Sequence, residues 1–153
     1  ESYNGNKFSH ASAIKRCLDY KNVSVISFGI RNISASEIPC LKKNYSRINI
    51  FWAKDKMKWN LNKFKKMIKG KTVYLTFDVD GLDSSIMPAT GTPEPGGLLW
   101  DETLNIIKIA SKNSNIVGAD INELAPIKNF DSYNFLVAKL AYKILAYTFE
   151  FKN

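Results

Sequence analysis

The sequence predicts an α/β domain organised around a mostly parallel sheet, on three observations. Short runs rich in β-branched and aromatic residues alternate with segments whose apolar residues recur at helical spacing. Cap residues and glycines fall at the joints between them. And 153 residues, 45% hydrophobic and 24% charged, amount to one globular domain with enough chain to bury a core.

In chain order, residues 1–8 read as a loop with Asn4-Gly5-Asn6 as its turn. Ser9 is placed to cap a helix running to Tyr20, with Ala11, Ile14, Cys17 and Leu18 at helical spacing. Val23 to Gly29 is a short buried strand. Ser34 or Ser36 caps a short helix through Asn44, with Pro39 in its first turn. Arg47 to Ala53 is a second strand. Asn60 caps a Lys-rich helix over 61–69, whose Leu61, Phe64, Met67 and Ile68 share a face, and Gly70 follows where a helix ends. Val73 to Phe77 is a third strand. After a long loop, Asp101 caps a helix through Lys112 with Leu104, Ile107 and Ile109 inward. Asn115 to Ile121 is the fourth strand, and Asp131 caps a last helix through Thr148.

The chemistry gathers at strand ends. The third strand runs into Asp78 and Asp80, and because strand side chains alternate faces these carboxylates are expected to point the same way. The fourth ends near Asp120 and Glu123. In a parallel α/β sheet ligands bind beyond the carboxyl ends of the strands. Two neighbouring acids repel unless a proton or cation relieves them. Manganese or magnesium would suit such oxygen donors. The competing reading is that both aspartates cap adjacent turns. His10 is the only histidine, and so the only side chain whose ordinary pKa lies near neutrality. The loop from Gly81 to Gly97, rich in Gly, Pro and Thr, is too long to be a mere connector.

Composition narrows the classes. No apolar run is long enough to span a bilayer and no secretory signal opens the sequence, so no membrane partner and a cytoplasmic location are expected. Cys17 and Cys40 stand alone and read as packed, reduced thiols. The net charge of +8 raises nucleic acid as a partner. With only three arginines and no nucleic-acid-binding motif, the lysines read instead as solvated surface, and no nucleic-acid partner is expected. A chain opening Glu1-Ser2-Tyr3 suggests a fragment or a processed chain.

The wording of the long loop is specific. F-D-V-D-G-L-D followed by P-A-T-G-T-P-E-P-G-G-L resembles the ureohydrolases, the arginase and agmatinase enzymes, and is nearer to agmatinase. N-K-F-S-H-A-S, F-G-I-R-N and A-D-I-N-E-L-A-P resemble the same family in the same order, so the likeness spans nearly the whole chain. It implies a three-layer α-β-α fold and a binuclear manganese cluster that activates water. It also implies a small guanidino substrate and a trimeric or hexameric homo-oligomer. Carried over residue by residue, it makes Asp78 and Asp80 metal ligands and His10 the proton shuttle or general acid/base. Glu123 becomes the carboxylate that holds the guanidinium, and Thr92 the hydroxyl at that pocket.

The family's other metal ligands come from two earlier motifs, G-G-D-H and D-A-H-x-D, and neither occurs here. Residues 1–153 therefore resemble the C-terminal part of a single ureohydrolase domain, incomplete on its N-terminal side and expected to leave a strand edge open. The expected activity is hydrolysis of agmatine to putrescine and urea, with guanidinobutyrate and arginine as neighbouring substrates. The alternatives are a catalytically inactive remnant or non-catalytic subunit of that fold and, on charge alone, a nucleic-acid-binding module. Leu82-Asp83-Ser84 stands where relatives read L-D-P, which loosens a turn without removing a ligand.

Overall fold

Two parallel strand pairs, each closed by its own helical crossover, form the framework of the computed structural model, which describes residues 2–151. Glu1 lies outside the described residues. The first pair joins β1 (Val25–Ile30) to β2 (Ile48–Trp52) through α2 (Ile38–Lys43). The second joins β3 (Thr72–Asp78) to β4 (Asn115–Asn122) through α4 (Trp100–Asn113). Parallel neighbours need such a crossover, which is why strand and helix alternate along the sequence. The single sheet expected from that alternation is resolved into two sheets among the described residues. The chain correspondingly divides into a unit of Glu1–Lys54 and a unit of Asp55–Asn153.

In the first unit the predicted helix from Ser9 is shorter than its apolar spacing suggests. Ser9 Oγ accepts from Ala11 N–H at 3.4 Å and opens a 3-10 turn, His10–Ser12. Then α1 (Ala13–Cys17) runs barely more than one turn. The chain beyond it is held by Arg47, whose guanidinium donates to the carbonyls of Tyr20 at 3.0 Å and Val23 at 3.2 Å. Gly29, at φ +76°, makes the bulge in β1, a conformation that favours glycine. Of the two serines offered as caps, Ser34 flanks the turn leading into α2, and its N–H is met by Glu37 Oε2 at 2.8 Å.

In the second unit Asn60 caps α3 (Leu61–Ile68) by accepting from Lys63 N–H at 2.9 Å, and Gly70 leaves the helix at φ +68°. The Asp101 cap is not formed. The helix begins two residues earlier than that cap implies, and Glu102 reaches back to the N–H of Leu99 at 2.8 Å, which leaves Asp101 exposed in the first turn. The inward stripe of α4 is Thr103, Ile107, Ala110 and Ser111, so of the three residues expected inside only Ile107 is fully buried. Ile107 packs with Leu140 and Ile144 of α5 (Ser132–Glu150) and, across from them, with Leu75, Phe77 and Ile121 of the sheet. The opposite face, carrying Tyr74, Thr76 and Asp78, is exposed. No helix among the described residues is long and apolar enough to cross a membrane.

Candidate active site

Register places the acids. Thr76 pairs with Asp120 and Asp78 with Asn122, so the carboxyl ends of β3 and β4 finish side by side. Asp120 is tied into this edge, accepting from Thr76 Oγ1 at 2.7 Å and Asn122 Nδ2 at 2.5 Å. It serves there as a strand-end anchor.

Asp78 is the last residue of β3. Asp80 is not on the strand at all, since Val79–Gly81 forms a 3-10 turn whose first N–H groups Asp78 caps, accepting from Asp80 N–H at 3.4 Å. The alternation argument for the two carboxylates therefore fails, and the turn brings them together instead. The turn-capping reading holds for Asp78 alone, since Asp80 instead accepts from the Thr92 side chain. Asp78 is exposed as a residue, yet enough protein crowds its carboxyl that lost hydration raises its pKa to about 6, helped by the negative charges of Asp80 and Glu123. Asp78 thus feels the charge of both other carboxylates at this sheet end.

Glu123 follows β4 at φ +66°, a strained conformation for a residue with a side chain. It is fixed by its neighbours. Leu124 makes an antiparallel bridge with Thr90, and Ala125 N–H donates to Ala89 O at 2.9 Å. A Cβ on Gly91 would lie 3.9 Å from Glu123 Oε2, so the loop runs close beside this carboxylate. Thr92 Oγ donates to Asp80 Oδ2 at 2.8 Å. One loop thereby touches both the aspartate pair and Glu123.

That loop is the feature the sequence concealed. Val79, Leu82, Met87, Ala89 and Leu98 within or beside it are buried to 5% exposure or less. Its two ends are joined by Asp83 N–H to Leu98 O and Leu98 N–H to Gly81 O, both at 2.9 Å. Lys56 Nζ donates to Gly97 O at 2.7 Å and pairs with Glu102 at 3.1 Å. The readable trace of this was the Asp83-Ser84-Ser85 wording, an Asx-turn signal.

His10 lies in the first unit, exposed in its 3-10 turn, with its ring 6.4 Å from that of Tyr3. Two surface grooves of the second unit lie along α3, one lined by Asn60, Lys63 and Lys66 with neighbours, the other by Lys65, Lys108 and Lys112 among others. None of Asp78, Asp80, Thr92 and Glu123 lines either groove, because these acids sit on an open sheet end. Among the described residues no group of three or more His, Cys, Asp or Glu side chains forms a metal site. Asp78 and Asp80 offer carboxylate oxygens, the donor type a hard divalent cation takes, and the described residues complete no site around them.

Residues 1–147 match the Arginase family. The chain belongs to that family. It is 35% identical over 150 residues to an N(1)-aminopropylagmatine ureohydrolase of Synechocystis, covering 96% of this chain and 48% of that protein. It is 38% identical over 129 residues to an agmatinase of Bacillus anthracis, covering 83% of this chain and 43% of that one. The crystal structure of an agmatine ureohydrolase of Thermoplasma volcanium superposes with a TM-score of 0.80 at 32% identity, covering 96% of this chain and 50% of that one. The α/β fold is accordingly of the arginase type. The chain spans about half the length of the curated relatives it matches.

Proposed function

We propose that the protein acts as a ureohydrolase, breaking a C–N bond of a guanidino compound to give urea and an amine, with agmatine to putrescine the leading reaction. The observation that carries this reading is the meeting of Asp78, Asp80 and Glu123 at one end of the β3–β4 pair in an arginase-family chain. Asp78 and Asp80 would hold part of a binuclear manganese site, and their repulsion is what a cation relieves. Bound manganese supplies a water acidic enough to serve as nucleophile near neutral pH.

The remaining work falls to side chains. Glu123 takes the planar cation through charge-assisted hydrogen bonds, its direction set by its constrained backbone. The Thr92 hydroxyl proton is committed to Asp80, which leaves its oxygen lone pairs to accept from a guanidinium, a group that only donates. The resemblance gives His10 the role of supplying the proton that the departing amine needs as the C–N bond breaks. The Synechocystis relative's name adds N(1)-aminopropylagmatine to agmatine, guanidinobutyrate and arginine as substrates to try.

The test is manganese stoichiometry together with urea release from those four compounds, using the product of the complete reading frame. Bound metal and urea are expected. Neither metal nor urea would retire the reading in favour of a catalytically inactive member of the family. Asp80→Asn should abolish urea release without changing the circular dichroism spectrum, and normal turnover would dismiss Asp80 as a ligand. Glu123→Gln should raise KM while manganese content holds, and a loss of manganese would move Glu123 into the coordination shell. A trimeric or hexameric assembly is what the resemblance implies, and a cytoplasmic location is what the two free cysteines suggest. Sedimentation as a monomer at all concentrations would overturn the first.

A further inference from the structure

Asp83 is absorbed by neither the metal site nor the substrate site, yet its carboxylate accepts four hydrogen bonds. Its Oδ1 accepts from the N–H of Ser85 at 2.9 Å and the hydroxyl of Ser85 at 2.5 Å. Its Oδ2 accepts from the N–H groups of Gly96 at 2.6 Å and Gly97 at 3.1 Å. The first pair is an ordinary local turn. The second reaches across the whole loop and closes it into a ring.

Inside that ring sit the two contacts that matter to the site. Thr92 holds Asp80, and the Ala89–Thr90 backbone holds Leu124 and Ala125, the residues that follow the strained Glu123. The ring's closure is tight on its far side as well. A Cβ on Gly97 would stand 2.5 Å from the carbonyl carbon and oxygen of Leu82.

We propose that Asp83 is a positioning residue, whose carboxylate closes residues 83–97 into a ring that sets Asp80 and Glu123 relative to one another. This rests on the function proposed above. The carboxylate is required because all four of its partners are donors. An Asn would turn an NH2 group toward one of the two donor pairs and lose it. Ser85→Ala, by contrast, removes only a local bond and leaves the ring closed.

Amide hydrogen exchange on the protein, compared among wild type, Asp83→Asn and Ser85→Ala, tests this directly. In Asp83→Asn the Gly96, Gly97 and Ala125 amides should exchange about tenfold faster, the loss expected for charge-assisted hydrogen bonds, while Leu140 and Ile144 stay protected. Ser85→Ala should match wild type. Unchanged protection at Gly96 and Gly97 in Asp83→Asn removes the ring. Faster exchange there with Ala125 unchanged removes its link to Glu123. If Asp83→Asn fails to fold, Asp83→Glu, which keeps the charge, should show intermediate protection at all three amides, and full protection would count against the geometry.

On the complete gene product, Asp83→Asn should raise both the KM for agmatine and the manganese concentration needed for half-maximal rate, with kcat at saturation changed less than either. Unaltered KM and manganese requirement would leave the ring a purely structural device and overturn the proposal. If wild type itself releases no urea, the proposed function falls, and the three amides alone decide the ring.

Discussion

The strand β3 and the loop that follows it reverse the usual relation between regularity and burial. Strand β3 has seven residues in parallel pairing broken by one register shift, yet none is buried and Tyr74 is 60% exposed. The loop has no periodicity, yet Met87 is fully buried and Leu82 is 1% exposed. Backbone polar groups explain how a loop manages this. Buried N–H and C=O groups must find partners, and here the bridges to Leu98 and Leu124 and the Asp83 carboxylate supply them. A segment without secondary structure can be a core element when its polar atoms are satisfied one by one. Such a segment also holds its side chains rigidly enough to build a site.

Substitutions can break or sharpen this contrast. Met87→Ala should cost about 3 kcal/mol of unfolding free energy in a urea titration, because a fully buried side chain leaves a cavity. Val117→Ala on the sheet, where the residue is 63% exposed, should stay within about 0.5 kcal/mol. Equal costs would abolish the distinction. Gly97→Ala should cost about 2 kcal/mol, since the added methyl meets the backbone of Leu82 and Asp83 rather than a side chain that can turn away. Lys56→Met should cost less, about 1 kcal/mol, because the bond to Gly97 O is lost while the partly exposed pair with Glu102 contributes little.

What the sequence made legible was local. Caps at Ser9 and Asn60, the exit at Gly70 and the parallel pairing implied by alternating elements all depend on residues near one another or on a repeated pattern. The acids were legible as types, but their geometry was not. Asp80 lies within a turn that Asp78 caps, so strand alternation was the wrong rule for a carboxylate beside Gly81. Asp101 lost its cap role to Glu102, whose longer side chain reaches back to Leu99 N–H from inside the first turn. The Asp83 ring was the least legible feature, because Gly96 and Gly97 lie far along an aperiodic stretch. Only the fold shows that their N–H groups converge on one carboxylate.

The smallest expected effect reads the same carboxylate through its charge. Ser85 and the N–H groups of Gly96 and Gly97 hold the Asp83 carboxyl below the usual carboxylate range, the Ser85 hydroxyl contributing most. A carboxyl depressed in the folded state favours folding above its unfolded pKa, and that contribution fades as pH falls through the depressed folded value. Stability of the wild type should therefore decline with acid below about pH 4, where an unperturbed Asp begins to protonate. Asp83→Asn should lower stability at neutral pH and flatten part of that decline. Thermal unfolding midpoints at pH 3, 4 and 7 in chelator-treated buffer read the difference. Parallel pH curves for the two proteins would mean that the loop closes without help from the Asp83 charge. The packed residues Leu82, Met87 and Leu98 would then carry it alone.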